Sequence, residues 1–293
     1  MAGIPFVRDI TFDYGAVDQV SPLVRRVIAN NPGPFTYTGT GTYIVGKGNV
    51  AVIDPGPRNE AHFEALKTAL GNDKVTHILV THTHIDHSPL ARELKEATDA
   101  PTYAFGPHGA GKDEGAKVEE GGDTEFMPDV RVQDAETIKG DGWTVECVFT
   151  PGHTSNHMCF ALNEEKALFT GDHVMGWSTS VIVPPDGEMK AYFNSLRKLL
   201  TREDDIYWPT HGPAITDPKP FVEAFIHHRE AREFQILACL SEGMTRIPEM
   251  VASMYRDVDA RLHPAAARSV EAHLIHMIET GRVAREGEGW RIA

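Results

Sequence analysis

A chain of 293 residues with 41% hydrophobic and 24% charged side chains has the make-up of a globular protein, one large core or a core with a small appendage. Its formal net charge of −14 argues against a broad phosphate-gripping surface, and so against duplex DNA as a partner. Cys147, Cys159 and Cys239 are too few and too scattered for a disulfide framework or a Cys-x-x-Cys metal site, and the opening residues have neither a basic start nor a long apolar core. The expectation is a cytoplasmic protein with no signal peptide and no membrane span, with Cys147 and Cys159 buried and inert in apolar, strand-like surroundings.

Residues 4–30 begin extended and place Val17, Val20, Val24, Val27 and Ile28 at mixed spacing, which assigns no element. Segments 35–38, 42–45 and 50–53 read as strands, with Gly46-Lys47-Gly48-Asn49 turning between the last two. Phe63, Leu66 and Leu70 recur at helical spacing over 59–70, and Gly71 ends that helix. Ile78-Leu79-Val80 is a short apolar run suited to a buried strand, and it opens directly into His82, His84, Asp86 and His87.

A helix over 91–98 and a short strand over 101–105 follow. Residues 106–125 are rich in Gly, Lys, Asp and Glu, which predicts a mobile loop at one rim with His108 solvated. Strands resume at 144–149, 158–162 and 167–170, His153 following the first and Asp172 the last. A helix over 188–201 carries Tyr192, Leu196, Leu199 and Leu200, and a strand at 206–208 precedes His211. Every ligand-type residue thus lies just past a strand, a pattern that favours two packed sheets with helices outside.

From about residue 221 the pattern is helical, over 221–240, 247–255 and 264–279, ending in a hairpin over 281–292. Helices followed by a hairpin suggest a winged-helix module. Residues 221–293 hold 9 Lys+Arg against 11 Asp+Glu, a net of −2, and the third helix carries apolar Leu274, Ile275, Met277 and Ile278. That charge speaks against a DNA-binding regulator and for a lid packed on the main domain. The division expected is a catalytic domain over 1–220 and a winged-helix-like domain over 221–293.

Four potential metal ligands within six residues, directly after a core strand, point to a metal centre. Alternate residues of an extended segment face one side, so His82 and His84 can grip one ion, while Asp86 and His87 come as the chain turns. Neutral imidazole and carboxylate suit Zn²⁺ or a similar cation. Asp54, ending the first meander, could accept a ligand imidazole's N–H or cap the next turn. His157 and His173 are open between a place in the cleft and a structural one. Residues 175–182, with Trp177 and Ser178, could line the cleft or form a plain surface loop.

His82-Thr83-His84-Ile85-Asp86-His87 resembles the H-x-H-x-D-H motif of the metallo-β-lactamase superfamily. Thr150-Pro151-Gly152-His153-Thr154 is similar to its G-H-T segment, Thr170-Gly171-Asp172 to its bridging aspartate, and Pro209-Thr210-His211-Gly212 to its last histidine. The resemblance spans nearly the whole chain. Asn31-Pro32-Gly33-Pro34-Phe35-Thr36 and the helical tail resemble the beta-lactamase-like protein 2 group.

The resemblance implies a four-layer αββα sandwich. It assigns His82, His84 and His153 to one ion, Asp86, His87 and His211 to a second, and Asp172 to both, with Asp86 and Asp172 the catalytic carboxylates. Two Zn²⁺ per chain are expected, and with no cysteine among the seven positions Mn²⁺ or Fe²⁺ would be tolerated. Three protein ligands per ion leave room for a water that two ions can ionise, so a hydrolase is implied. Substrate contacts fall to Trp177, Ser178 and His157. The subgroup implies cleavage of short single-stranded RNA; the alternative is a small ester, thioester or lactam, and an iron-dependent oxygenase is a further class on the same scaffold.

Overall fold

The computed structural model describes residues 3–109 and 121–293 and divides the strands between two large sheets. The first holds seven strands in chain order: β1 Val17–Gln19, β2 Val24–Ile28, β3 Gly41–Val45, β4 Asn49–Ile53, β5 Lys74–Leu79, β6 Thr102–Ala104 and β7 Val130–Arg131. Strands β1 to β4 form an antiparallel meander, and β4 to β7 run parallel. Helices α1 Glu60–Leu70 and α2 Ala91–Thr98 make the crossovers on either side of β5. The second sheet runs β8 Thr137–Lys139, β9 Thr144–Phe149, β10 Met158–Leu162 and β11 Ala167–Gly171 antiparallel. Beyond α3 Met189–Leu200, β12 Ile206–Pro209 joins it parallel to β11.

Alternation along the strands explains the layering. In β3 and β4, Tyr43, Val45, Ala51 and Ile53 point between the sheets and meet Val145, Cys147, Phe160 and Phe169 of the second. Their neighbours Ile44, Val50 and Val52 pack outward with Leu70, Ala91 and Leu94 of the crossover helices. Both faces are covered, so these strands read as unbroken apolar runs rather than alternating ones. The outer face of the second sheet, through Cys159, Ala161 and Leu168, meets Tyr192, Phe193, Leu196, Phe221 and Phe225. The result is the expected four layers.

Helix α4 Pro218–Ser241 joins two cores. Phe221, Val222 and Phe225 belong to the layer outside the second sheet. Ile236, Cys239 and Leu240 belong to a separate cluster with Met250, Val270, Leu274, Met277 and Trp290. That cluster is built on α5 Ile247–Met254, α6 His263–Glu279 and the hairpin β13 Val283–Glu286 with β14 Gly289–Ile292. Of the apolar run on α6, Leu274 and Met277 are buried while Ile275 and Ile278 stay exposed. No helix among the described residues is long and apolar enough to cross a membrane.

Some expectations need correction. Residues 35–38 form turns rather than a strand, with only a bridge between Gly33 and Tyr37. Tyr37 has φ +54, a left-handed conformation outside the extended region that regular strands use. Strand β2 was masked by Arg25 and Arg26, whose guanidinium groups reach Asp73 and Asp18 instead of water alone. Of the loop expected over 106–125, residues 110–120 lie outside the described residues. His108 is not simply solvated, because its Nδ1 pairs with Thr83 Oγ1 at 2.9 Å. All three cysteines are buried, and burial pushes Cys147 and Cys159 up to about 12, as inert thiols would be.

Candidate metal centre

The seven ligand-type residues converge from four connections at one end of the sandwich. The turn after β5 brings His82, His84, Asp86 and His87; the β9–β10 connection brings His153; Asp172 follows β11 and His211 follows β12. All seven are buried. His82, His84 and His153 form one group able to hold an ion, Asp86, His87 and His211 another, and Asp172 closes a third with His82 and His87. In each group the candidate ligand atoms lie within 4.8 Å of one another. Asp172 therefore lies where it could serve both ions.

Three of the five imidazoles are held by their far nitrogens. His87 Nδ1 donates to Asp54 Oδ2 at 2.9 Å, His211 Nδ1 to the Gly39 carbonyl at 3.1 Å, and His153 Nδ1 to the Val181 carbonyl at 2.6 Å. Each bond places the proton on Nδ1 and leaves Nε2 aimed at the cluster. Asp54, fully buried at φ +48, also accepts from Thr81 N–H at 2.8 Å, Thr81 Oγ1 at 2.7 Å and Thr210 Oγ1 at 2.9 Å. It ties the ends of β5 and β12 to the end of β4. Of the two readings open for Asp54, the imidazole acceptor is the one present.

Toward the centre the donors face one another. His84 Nδ1 is 2.9 Å from His82 Nε2 and 3.1 Å from His153 Nε2, and His211 Nε2 is 3.0 Å from Asp86 Oδ2. Asp86 Oδ1, His87 Nε2, Asp172 Oδ1 and His211 Nε2 are buried without a well-formed hydrogen bond, having at most ionic approaches to one another, such as His211 Nε2 to Asp172 Oδ1 at 3.4 Å. Atoms of that kind are costly inside a protein unless something satisfies them, and divalent cations fit all four.

Burial, then neighbouring imidazoles, keep His82 and His84 well below the ordinary range, so their lone pairs are available. For His87, burial opposes the charge but the carboxylates of Asp86, Asp172 and Asp54 raise it well above that range. His211, against the same opposition, is lifted to about 10, chiefly by Asp172. Burial works against ionised Asp86 and Asp172 too, yet His87 and His211 hold both carboxyls well below the usual carboxylate range. The protein by itself thus balances two buried carboxylates with protons on imidazoles. Metal ions at the same atoms would displace those protons.

An open recess, with a cavity volume of only about 40 Å³, lies over His84, Asp86, His153 and Asp172. Its walls are Pro34, Phe35, Met175, Trp177, Ser178, Thr179 and Val181. Trp177 and Ser178 line it, and Trp177 stacks on Tyr37 with ring centroids 4.7 Å apart. His157 does not line it: this buried ring bonds Thr150 Oγ1 through Nδ1 and accepts the Asp172 amide at Nε2, 3.3 Å away. His173 lies inside beside Tyr192, and burial lowers it to about 3. Phe35 and Pro34 went unnoticed as wall residues because nothing local shows that the 33–37 turn folds over the centre.

Residues 37–211 match the metallo-beta-lactamase superfamily model, and residues 247–290 match the beta-lactamase associated winged helix domain. The lactamase-like protein adaB of Aspergillus niger is 31% identical over 289 residues, 93% of this chain and 85% of that one. An atrochrysone carboxyl ACP thioesterase of a Cryptosporiopsis species is 30% identical over 289 residues, 92% of this chain and 84% of that one. A Caenorhabditis elegans beta-lactamase-like protein 2 homologue is 31% identical over 277 residues, covering 91% and 88%. A beta-lactamase domain protein of Burkholderia ambifaria superposes with a TM-score of 0.80 at 21% identity, over 97% of this chain and 96% of that one. With the fold, the His/Asp cluster and the family match in agreement, the chain belongs to the metallo-β-lactamase superfamily, as a hydrolytic enzyme of that fold with a C-terminal winged helix.

Proposed function

We propose that this enzyme hydrolyses an acyl thioester or a similarly activated small ester at a centre of two Zn²⁺ ions. The observation that carries this reading is the wall of the recess. Phe35, Pro34, Met175, Trp177 and Val181 give an apolar mouth suited to an acyl group, and no lysine or arginine lines it among the described residues. An RNA strand would bring one phosphate per nucleotide with no lysine or arginine among the described residues of the mouth to receive it. A relative named as a carboxyl ACP thioesterase, 30% identical, agrees in substrate class.

In this reading His82, His84 and His153 hold one ion, Asp86, His87 and His211 the other, and Asp172 serves both. The ions, when bound, supply Lewis acidity that lowers the pKa of water and draws charge from a carbonyl oxygen. The chain's own residues do the rest. Trp177, held flat by Tyr37, offers a rigid face against which the acyl group packs. Ser178 and Thr179 present hydroxyls at the mouth, where they can orient a carbonyl or leaving group. The carboxylate oxygen of Asp86 or Asp172 that is not on an ion would accept a hydrogen bond from the attacking water and carry its proton toward the leaving thiolate. The expected division at residue 220 and a cytoplasmic location remain part of this proposal.

The test is the rate per enzyme on a short-chain acyl thioester, a lactam and a single-stranded RNA in matched salt and metal. Thioester turnover orders of magnitude above the RNA rate, lost on chelation and in His87→Ala, is the expected outcome. Efficient RNA cleavage that His87→Ala abolishes, with the thioester spared, would refute the proposal in favour of the nuclease. Metal content should approach two per chain and fall at both sites in Asp172→Ala.

A further inference from the structure

Arg229 on α4 is almost fully buried, yet among the described residues no ion pair joins it to a carboxylate, and its Nε has no partner. A buried guanidinium without a counter-charge is costly, so its contacts need a reason beyond stability. It donates to the Ser180 carbonyl and lies over the Tyr192 ring, 5.2 Å from the centroid. Ser180 Oγ in turn donates to the carbonyls of Asp172 at 2.6 Å and His173 at 2.8 Å. Tyr192 adds a bond to the His173 carbonyl at 2.8 Å. The next residue, Val181, carries the carbonyl that accepts from His153 Nδ1. Farther along, Arg268 of α6 donates to the Pro184 carbonyl and pairs with Glu271 at 2.8 Å.

Two arginines from the C-terminal helices therefore grip backbone carbonyls on both sides of Val181. The gripped segment runs from Asp172, through recess walls Met175 and Trp177, to the carbonyl that orients His153. We propose that Arg229, with Arg268 as a second grip, is a positioning residue for the metal centre, so that the C-terminal helices set the aim of His153 and the shape of the recess wall. This rests on His153 being a metal ligand, as the proposed function has it. Arg229 touches no reacting atom; it acts through Ser180 and Val181.

The experiment compares Zn²⁺ affinity, by competition with a chromophoric chelator, in the full-length protein and four variants. Arg229→Met should weaken one of the two ions by about 10–100-fold, the usual effect of losing a group that orients a ligand. Arg229→Lys, which restores one donor, should recover part of the loss, and Arg268→Met should move the same way by less. Arg232→Met is the control for mere destabilisation. Arg232 lies on the same helix and stacks over Tyr255 at 4.5 Å without reaching the 172–184 segment. It should lower stability and leave metal affinity unchanged. Thioester KM should rise in Arg229→Met, because the wall moves with the ligand. Unchanged Zn²⁺ affinity in both Arg229→Met and Arg268→Met overturns the inference. If Arg229→Met does not fold, Arg268→Met, whose partly exposed side chain is no part of a core, decides alone. Failure of the parent protein to hold two ions would overturn the ligand assignment and the inference with it.

Discussion

Asp54→Asn isolates the part that charge and geometry play behind the metal centre, since it keeps volume and tolerates the left-handed backbone at φ +48. Four donors converge on the Asp54 carboxylate: Thr81 N–H on Oδ1, and Thr81 Oγ1, Thr210 Oγ1 and His87 Nδ1 on Oδ2. An amide can satisfy only one side. With its oxygen toward His87, its NH₂ opposes the Thr81 amide at a separation of 2.8 Å, leaving a buried donor unmet at about 1–3 kcal/mol. The three remaining bonds lose their charge assistance, which about halves their strength. In the flipped orientation the NH₂ faces His87 Nδ1 and drives its proton to Nε2, the nitrogen aimed at Asp86 and Asp172.

Either way the fold should lose about 2–4 kcal/mol, a large share of the about 5–15 kcal/mol typical of a domain. Zn²⁺ affinity should fall by about 10–100-fold. Guanidinium unfolding of metal-stripped protein reads the first quantity and chelator competition the second. A midpoint and a metal affinity both equal to the parent's would show that Asp54 does not anchor His87.

Three further outcomes are expected. Gly171→Ala adds a Cβ at φ +52 only 2.6 Å from His157 Nε2 and 2.8 Å from Thr81 Oγ1, so it should cost about 2–4 kcal/mol and reduce metal content by moving Asp172, both measurable on purified protein. Glu233 is buried, which opposes its ionisation, but bonds from His273 and His276 and the Arg282 ion pair at 2.6 Å bring its carboxyl from 4.5 down to about 2. Its folded value is below its unfolded one, so its contribution is complete above pH 4.5 and disappears as pH falls toward 2. Unfolding curves of the parent and Glu233→Gln should differ by about 2–3 kcal/mol at pH 7 and converge across that window; a constant gap would refute the assignment. Duplex DNA should bind the full protein no better than an acidic control at moderate salt, given a net of −2 over residues 221–293; tight, salt-sensitive binding would contradict this.

Much of the site was legible because it is local. His82, His84, Asp86 and His87 follow β5 within six residues, and His153, Asp172 and His211 each follow a strand with its own apolar signature. Apolar runs bounded by Gly and Asn likewise marked β3, β4, β9, β10 and β11, and helical spacing marked α1, α3 and α4. Elements of two or three residues, β1, β7 and β8, carry too few side chains to show a period, and β2 shows arginines that only tertiary partners explain.

By itself, then, the sequence determined which side chains could bind metal, that two sheets would carry them and that a helical module would follow. Tertiary structure alone decided how they are aimed. Asp54 reaches His87 across 33 positions, Gly39 meets His211 across 172, and Arg229 holds Ser180 from a helix 49 residues away. The same holds for the recess, where the turn over 33–37, overlapping the strand expected at 35–38, folds over the ligands and sets Tyr37 against Trp177. Ligand identity is a property of side-chain chemistry and nearby strand ends. Ligand orientation depends on hydrogen bonds between distant segments, which no local pattern of residues encodes.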